Sequence, residues 1–293
     1  MSHSDLIADI EVLASRYKET VDAIPTGVDS LVALCKRKTT TFETTLYQPV
    51  FCLVLQGQKE TWLGERCVRF GAGESLIVSH HLPVVSRVVE ASAKKPYIAL
   101  AMPVDLSIIR SLYDELDETD LNEVRAHSIE AGQTDVELVQ AIARLFGLTD
   151  RPVEAKVMAP LILREIHFRL LLARHGAMLR QLLRHESTAS RIAKAINRIH
   201  QDFRMALSVP ELAQTAGMSA STFHEHFKSV TATSPLQYQK DLRLIEARRL
   251  LSDGHQSVSS IAFEVGYESP SQFSREYARR FGASPRNDLT AAE

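Results

Sequence analysis

Between about Ser30 and Met102 the chain reads as short apolar stretches broken by glycine, proline and charge. Phe51–Leu55, Thr61–Leu63, Arg66–Phe70, Ser75–Val78, Pro83–Val89 and Tyr97–Ala101 are the expected strands. Turns are expected at Gly57-Gln-Lys, Leu63-Gly-Glu and Gly71-Ala-Gly-Glu. Short strands recurring at roughly 8–12-residue spacing point to a small barrel or sandwich. A short helix over residues 4–20 precedes them. From Asp105 to about His185 the period becomes helical, and helices are expected over 105–117, 134–147 and 153–184. The last repeats Leu161, Ile162, Ile166, Leu170 and Leu171 at helical intervals along one side. The small polar segment from His185 to Ser190 reads as a linker. Everything after it is helical.

That last region contains a duplication. Ser208/Ser257, Leu212/Ile261, Ala213/Ala262 and Gly217/Gly266 each lie 49 residues apart. Past the turn the offset becomes 50, in Ser219/Ser269, Phe223/Phe273 and Phe227/Tyr277, with Glu268 as the extra residue. Matching apolar, small and glycine positions in one frame mark an internal repeat. Each copy has the parts of a helix-turn-helix. Ser208 and Glu211 suggest a capping box. Gly217 suits the positive φ of a tight turn. Ser219 and Ser269 are placed to cap second helices, the latter with Pro270 at the first helical position and Gln272 completing a capping box. The segment from Ser234 to Ser252 reads as a capped helix stopped by Gly254, long enough to space two such heads along DNA.

Aromatic pairs four residues apart, Phe223/Phe227 and Phe273/Tyr277, are expected to anchor each second helix to its own core. Opposite them lie Ser221, His224, Glu225 and Lys228 in one copy, and Ser271, Gln272, Ser274, Arg275 and Arg279 in the other. Short hydrogen-bonding side chains near a helix N-terminus suit insertion into a major groove. The guanidinium of Arg275 matches the acceptor pair of guanine, and Glu225 suits a cytosine amino group.

Composition adds little to this picture. The 293 residues are 45% hydrophobic and 24% charged, with a formal net charge of −2. Residues 190–293 carry 13 basic and 11 acidic side chains, so the duplicated region is net positive and the remainder net negative. Cys35, Cys52 and Cys67 are too few and too irregular for a disulfide framework or a zinc site. No signal peptide and no apolar run of membrane-spanning length is read from the sequence, so a cytoplasmic location is expected.

The duplicated region resembles the AraC/XylS family of bacterial transcription regulators. The resemblance covers about 190–285 and rests on Leu212-Ala213, Gly217-Met218-Ser219, Phe223, Phe227-Lys228, Ser234-Pro235, Tyr238, Arg243, Ala247, Leu250-Leu251, Ile261-Ala262, Gly266-Tyr267, Phe273-Ser274-Arg275, Phe281-Gly282 and Ser284-Pro285. Many members follow Ser-Pro with a Tyr-Arg pair, whereas Arg286-Asn287-Asp288 follows here. The resemblance implies that the exposed positions above read bases. Tyr47–Lys59 and Leu82-Pro83-Val-Val likewise resemble a cupin-type regulatory barrel.

The expected architecture is α+β. Residues 1–104 form a cupin-like effector-binding domain, 105–186 a helical dimerisation region and 187–293 an all-α DNA-binding domain with two helix-turn-helix units. Tyr47, Gln56, Trp62, His80 and His81 are the candidate effector contacts. Adjacent His80 and His81 would point to opposite faces of a strand, and Glu90 is the only nearby acid, so no metal and no cofactor are expected. The implied function is a sequence-specific, effector-controlled regulator and not an enzyme. Its implied partners are double-stranded promoter or operator DNA, RNA polymerase as for an activator, an unidentified small molecule and a second copy through the 153–184 helix. A cupin-type enzyme fused to a DNA-binding domain, and a constitutive DNA binder whose barrel only dimerises, are the alternatives.

Overall fold

The structure is a computed structural model that describes residues 3–18, 21–116, 126–184 and 186–290. Residues 19, 20, 117 and 185 of the expectations above lie outside the described residues. The chain divides into two units. The first comprises Met1–Glu43, Tyr47–His81 and Val85–Ser187; the second comprises Thr44–Leu46, Leu82–Val84 and Thr188–Glu293.

The first unit begins with α1 (His3–Ala14). The strands follow: β1 (Ile24–Pro25), β2 (Val32–Lys36), β3 (Glu43–Tyr47), β4 (Val50–Gln56), β5 (Gln58–Leu63), β6 (Arg66–Gly71), β7 (Glu74–Val78), β8 (Leu82–Glu90) and β9 (Tyr97–Pro103). Then come α2 (Leu106–Tyr113), β10 (Ile129–Gln133), α3 (Val136–Phe146), α4 (Pro152–Leu172), a 3-10 turn at Arg174–Gly176 and α5 (Ala177–Leu183). One sheet runs β1-β2-β9-β4-β7-β10 and the other β3-β8-β5-β6. The chain steps from the first sheet to the second at Gly57, alone between β4 and β5. Its φ of +80° suits glycine, and a Cβ there would run into the Glu90 carbonyl oxygen. The expected turn at Gly57-Gln-Lys is therefore one residue long, and Lys59 belongs to a strand.

Two further expectations change. β10 interrupts the region read as purely helical and pairs along β7, from Ile129 opposite Val78 to Gln133 opposite Glu74. Its sequence, Ile-Glu-Ala-Gly-Gln, has little alternation to announce a strand, because an edge position buries few of its side chains. The helix expected over 153–184 breaks at Ala173, whose ψ of 139° leaves the helical region. The Arg180 guanidinium donates to the freed carbonyls of Leu171 and Ala173, the latter at 3.0 Å. Ile162, Ile166, Leu170 and Leu171 are buried within the unit, whereas Leu161 is 61% exposed. The stripe thus faces inward, and Val153, Val157, Met158 and Leu161 form a separate outer apolar face.

Two buried histidines tie this helical region down. His167 Nδ1 donates to the Leu163 carbonyl at 2.6 Å, and its Nε2 accepts from the Asp105 amide at 2.9 Å. His175 Nε2 meets Ser75 Oγ at 2.9 Å. Burial pulls both imidazoles below their ordinary value. The unfolded chain, with histidines near 6.5, then binds the extra protons as pH falls. Stability of the first unit is therefore expected to be full above about pH 7 and to drop as pH is lowered from 6.5 toward 5. Carboxylates do not confound that window. Burial works to raise Glu60, but Arg69 and Arg87 hold it below the carboxylate range, and Arg144 and Arg169 do the same for Glu165. Their contribution persists above about pH 4.5. Thermal melting at pH 7.5 and pH 5 checks this, and His167→Gln should flatten the difference.

From Thr188 on, the second unit is helical: α6 (Thr188–Asp202), α7 (Val209–Thr215), α8 (Ala220–Thr231), α9 (Pro235–Ser252), α10 (Val258–Glu264), α11 (Pro270–Phe281) and α12 (Pro285–Thr290). It has two hydrophobic clusters. One gathers Ile192, Ile196, Leu212, Phe223 and Phe227; the other gathers Ile261, Ala262, Phe273 and Tyr277. α9 serves both, placing Tyr238 and Leu242 in the first and Leu244, Ala247 and Leu251 in the second. α12 closes the chain where the family pattern departs, and Tyr277 donates its hydroxyl to Asp288 at 2.6 Å.

Candidate functional site

Each repeat folds as a helix, a tight turn and a second helix. In the first, Gly217 has φ +62°, and the Met218 amide reaches the Ala213 carbonyl at 2.9 Å. In the second, Gly266 has φ +90°, and the Tyr267 amide reaches the Ala262 carbonyl at 2.9 Å. A Cβ at Gly266 would collide with the Arg204 carbonyl, so glycine is required there for packing as well as for φ. Ser219 and Ser269 cap α8 and α11 by accepting from the Thr222 and Gln272 amides. Two capping expectations fail. Ser208 makes no side-chain cap bond, and Gln272 donates its amide to Glu276 at 3.2 Å instead of reaching back to the cap.

The aromatic pairs are fully buried, with ring centroids 5.4 Å apart in the first copy and 5.5 Å in the second. Ser221, His224, Glu225 and Lys228 are accordingly exposed on α8, and Ser271, Gln272, Arg275 and Arg279 on α11. Not all of them are free. Ser274 is half-buried and donates to the Pro270 carbonyl at 2.9 Å. Gln272 is held by Glu276, which also accepts from Lys240 at 3.1 Å and Tyr267 at 2.8 Å. Burial works to raise the Glu276 carboxyl, but these donors keep it below the ordinary range. Arg275 and Arg279 engage no hydrogen bond or ion pair among the described residues and remain open to a ligand.

The sequence reading missed the joint between the two copies. Arg243 on α9 donates to the Phe203 carbonyl at 2.6 Å, Met205 at 2.9 Å, Arg204 at 3.2 Å and, in the other copy's turn, Gly266 at 2.8 Å. Gln239 adds bonds to Phe203 and Met205 at 2.8 and 2.6 Å. The five-donor guanidinium fork is suited to satisfying several carbonyls at once.

The candidate effector residues of the first unit do not form one group. Gln56 donates to the Pro96 carbonyl at 2.8 Å. His80 is buried with its Nδ1 2.8 Å from Ser79 Oγ, and half-buried His81 follows it in the link from β7 to β8. Trp62 lies on the opposite face of β5 from Thr61, edge-on to Phe42 at 5.3 Å and beside Arg87. Only Tyr47 is placed beside a charged interior side chain, with Lys59 Nζ 5.5 Å from its ring centroid. Among the described residues, no three His, Cys, Asp or Glu side chains gather as metal ligands. None of the described helices is long and apolar enough to cross a membrane.

Comparison with known proteins follows this division. The model for the AraC-type transcriptional regulator N-terminus matches residues 27–178, and a helix-turn-helix domain model matches 212–290. The virulence regulon transcriptional activator VirF of Yersinia enterocolitica is 30% identical over 150 residues, 50% of this chain and 54% of VirF. The HTH-type transcriptional activator RhaS of Escherichia fergusonii is 36% identical over 101 residues, 34% of this chain and 36% of RhaS. The chain thus spans about half the length of VirF, and less of RhaS. Wild-type ToxT from Vibrio cholerae, solved with unsaturated fatty acid bound, has a TM-score of 0.59 over 89% of this chain and 93% of its own. At 11% identity it shares the fold.

Proposed function

We propose that this chain regulates transcription by sequence-specific binding to double-stranded promoter or operator DNA, and the premise is its family: the chain belongs to the AraC-type transcriptional regulators. The observation that carries the reading is the pair of capped second helices, each anchored by buried aromatics and each presenting an exposed polar face. Ser221, His224, Glu225 and Lys228 on α8, with Ser271, Arg275 and Arg279 on α11, supply the contacts to bases and phosphates; Gln272 and Ser274 contribute through bonds they already make within α11. α9, with 18 residues and a length of about 27 Å, suits two heads about one DNA turn apart.

The full-length chain is expected to retard DNA from upstream of its own gene, with affinity falling as salt rises because Lys and Arg release counterions from phosphates. Gel retardation over a salt series tests this. Absence of any salt-dependent shift overturns the reading.

The same reading extends to control. The barrel of the first unit binds a small-molecule effector that shifts the balance between DNA-binding modes. ToxT, which shares the fold, was solved with a fatty acid bound, and this supports an effector-binding first unit. The chain acts in the cytoplasm, without enzymatic activity, on promoters served by RNA polymerase. Residues 1–104, 105–186 and 187–293 divide the work into effector binding, dimerisation and DNA binding.

Dimerisation uses the outer face of α4, where Val153, Val157 and Leu161 recur every four residues beside Met158. Leu161→Asp is expected to give soluble monomers by sedimentation. Leu170→Asp should instead give unfolded or insoluble protein, since Leu170 is a core residue. Wild-type protein that sediments as a monomer at micromolar concentration removes this interface.

A further inference from the structure

The interior of the first unit's barrel holds polar side chains that the chain itself leaves unsatisfied. Lys59 pairs across the second sheet with Phe70 and Val88, and Thr61 pairs with Val68 and Ser86. All four partners are buried, so this face of β5 is the inner one. Lys59 also lies close to Cys52, which is buried on β4 of the facing sheet. Tyr97 of β9 stands beside Cys52, and Tyr47 beside Lys59. Both sheets therefore contribute to one group.

Its hydrogen-bonding account does not close. The hydroxyls of Thr61 and Tyr97 are fully buried; among the described residues the first has no hydrogen-bond partner and the second meets only the weak Cys52 thiol. Half-buried Lys59 hydrogen-bonds the Tyr47 hydroxyl but makes no ion pair among the described residues, and Glu43, whose charge it feels, is exposed on β3. Buried hydroxyls are expected to find hydrogen-bond partners, and an interior-facing ammonium a counter-charge. What is absent is a negative charge opposite the Lys59 ammonium, which can only donate, while the hydroxyls beside it can each donate to the same anion. Among the described residues no acidic side chain pairs with Lys59, so a neutral polyol would leave its charge without a counter-ion, whereas a carboxylate would supply one. The neighbouring inner face is apolar or small, with Val54, Val88 and Ala99 buried and Leu34 and Ala101 half-buried toward the β2 edge.

We propose that the barrel binds a small apolar carboxylic acid, its carboxylate held by the Lys59 ammonium and the Tyr47, Thr61 and Tyr97 hydroxyls. The proposal rests on the reading of the first unit as an effector-binding module. It assigns that module's ligand class and adds Lys59, Thr61 and Tyr97 as contacts.

The test titrates the full-length chain by calorimetry with butanoate, hexanoate, decanoate, hexadecanoate and benzoate, each beside its neutral amide. At least one acid is expected to saturate at one molecule per chain, with its amide about 10-fold weaker or more. Lys59→Gln should abolish this preference for the acid, and Lys59→Arg should keep it. If no acid saturates, or if Lys59→Gln binds acid as tightly as wild type, the proposal is overturned. Should Lys59→Gln fail to fold, Thr61→Val and Tyr97→Phe make the same comparison, and unchanged acid affinity in both overturns it. DNA retardation by the same samples separates this site from the regulatory reading. Acid binding that leaves DNA affinity unchanged keeps the site and removes its effector role. DNA binding without acid binding removes the site and keeps the regulator.

Discussion

Arg243→Ala loosens the whole second unit, by about 3 kcal/mol, the scale of losing several charge-assisted hydrogen bonds at once. The substitution strips donors from the carbonyls of Phe203, Arg204, Met205 and Gly266, and Gln239 still reaches only two of them. Gly266 belongs to the turn of one copy, and 203–205 precede α7 of the other. The loss therefore falls on their relative placement as well as on stability. Amide hydrogen exchange in the full chain is the measurement: protection should fall throughout 188–290 and stay unchanged in the barrel strands. Arg243→Lys should recover little, because an ammonium cannot reproduce a planar fork aimed at separated carbonyls. Loss confined to one copy would show that Arg243 is a local staple.

Arg275→Ala is expected to weaken specific DNA binding by roughly 5- to 150-fold, the value of about 1–3 kcal/mol for a bidentate guanine contact. Arg275 follows the buried Phe273 by two residues and precedes the buried Tyr277 by two, so it projects outward, and among the described residues no neighbour competes for its guanidinium. The comparison is Lys228→Ala, which removes the same charge from the exposed face of α8. As a phosphate contact, Lys228 should weaken binding to every sequence alike and lessen the salt slope by about one unit. Selection on randomised operators reads both. Equal losses on all sequences would mean that Arg275 is not a base reader.

The second unit was the more legible part of the sequence, for a physical reason. A helix-turn-helix announces itself through constraints on single residues: a glycine that alone tolerates the turn, a serine at the cap, aromatics four apart. Those positions stand where the repeat places them. What it concealed was the set of tertiary bonds. Gln272 resembles a capping residue, yet a nearby Glu276 competes for its amide. Arg243 resembles any surface arginine until the backbone carbonyls it gathers are known.

In the barrel, apolar stretches located the well-buried strands such as β4, β7 and β9, and missed β1, β2, β3 and β10, which are short or bury few of their side chains. Lys59 was hidden for a related reason. Read as part of a turn, it lost the alternation with Thr61 and Leu63 that places it indoors. Trp62, a candidate effector contact, falls on the opposite face of that strand. One residue of shift in a strand exchanges the two faces completely.

Trp62 is also the chain's single tryptophan. It sits on the outer face of the barrel, edge-on to Phe42 and within 5.6 Å of the Arg87 guanidinium. Indole emission from this molecule is therefore a one-point optical probe of the first unit, and the DNA-reading unit contributes nothing to it. A fluorescence change on adding an effector reports an event around β5, and a fluorescence-detected unfolding curve follows the surroundings of Trp62.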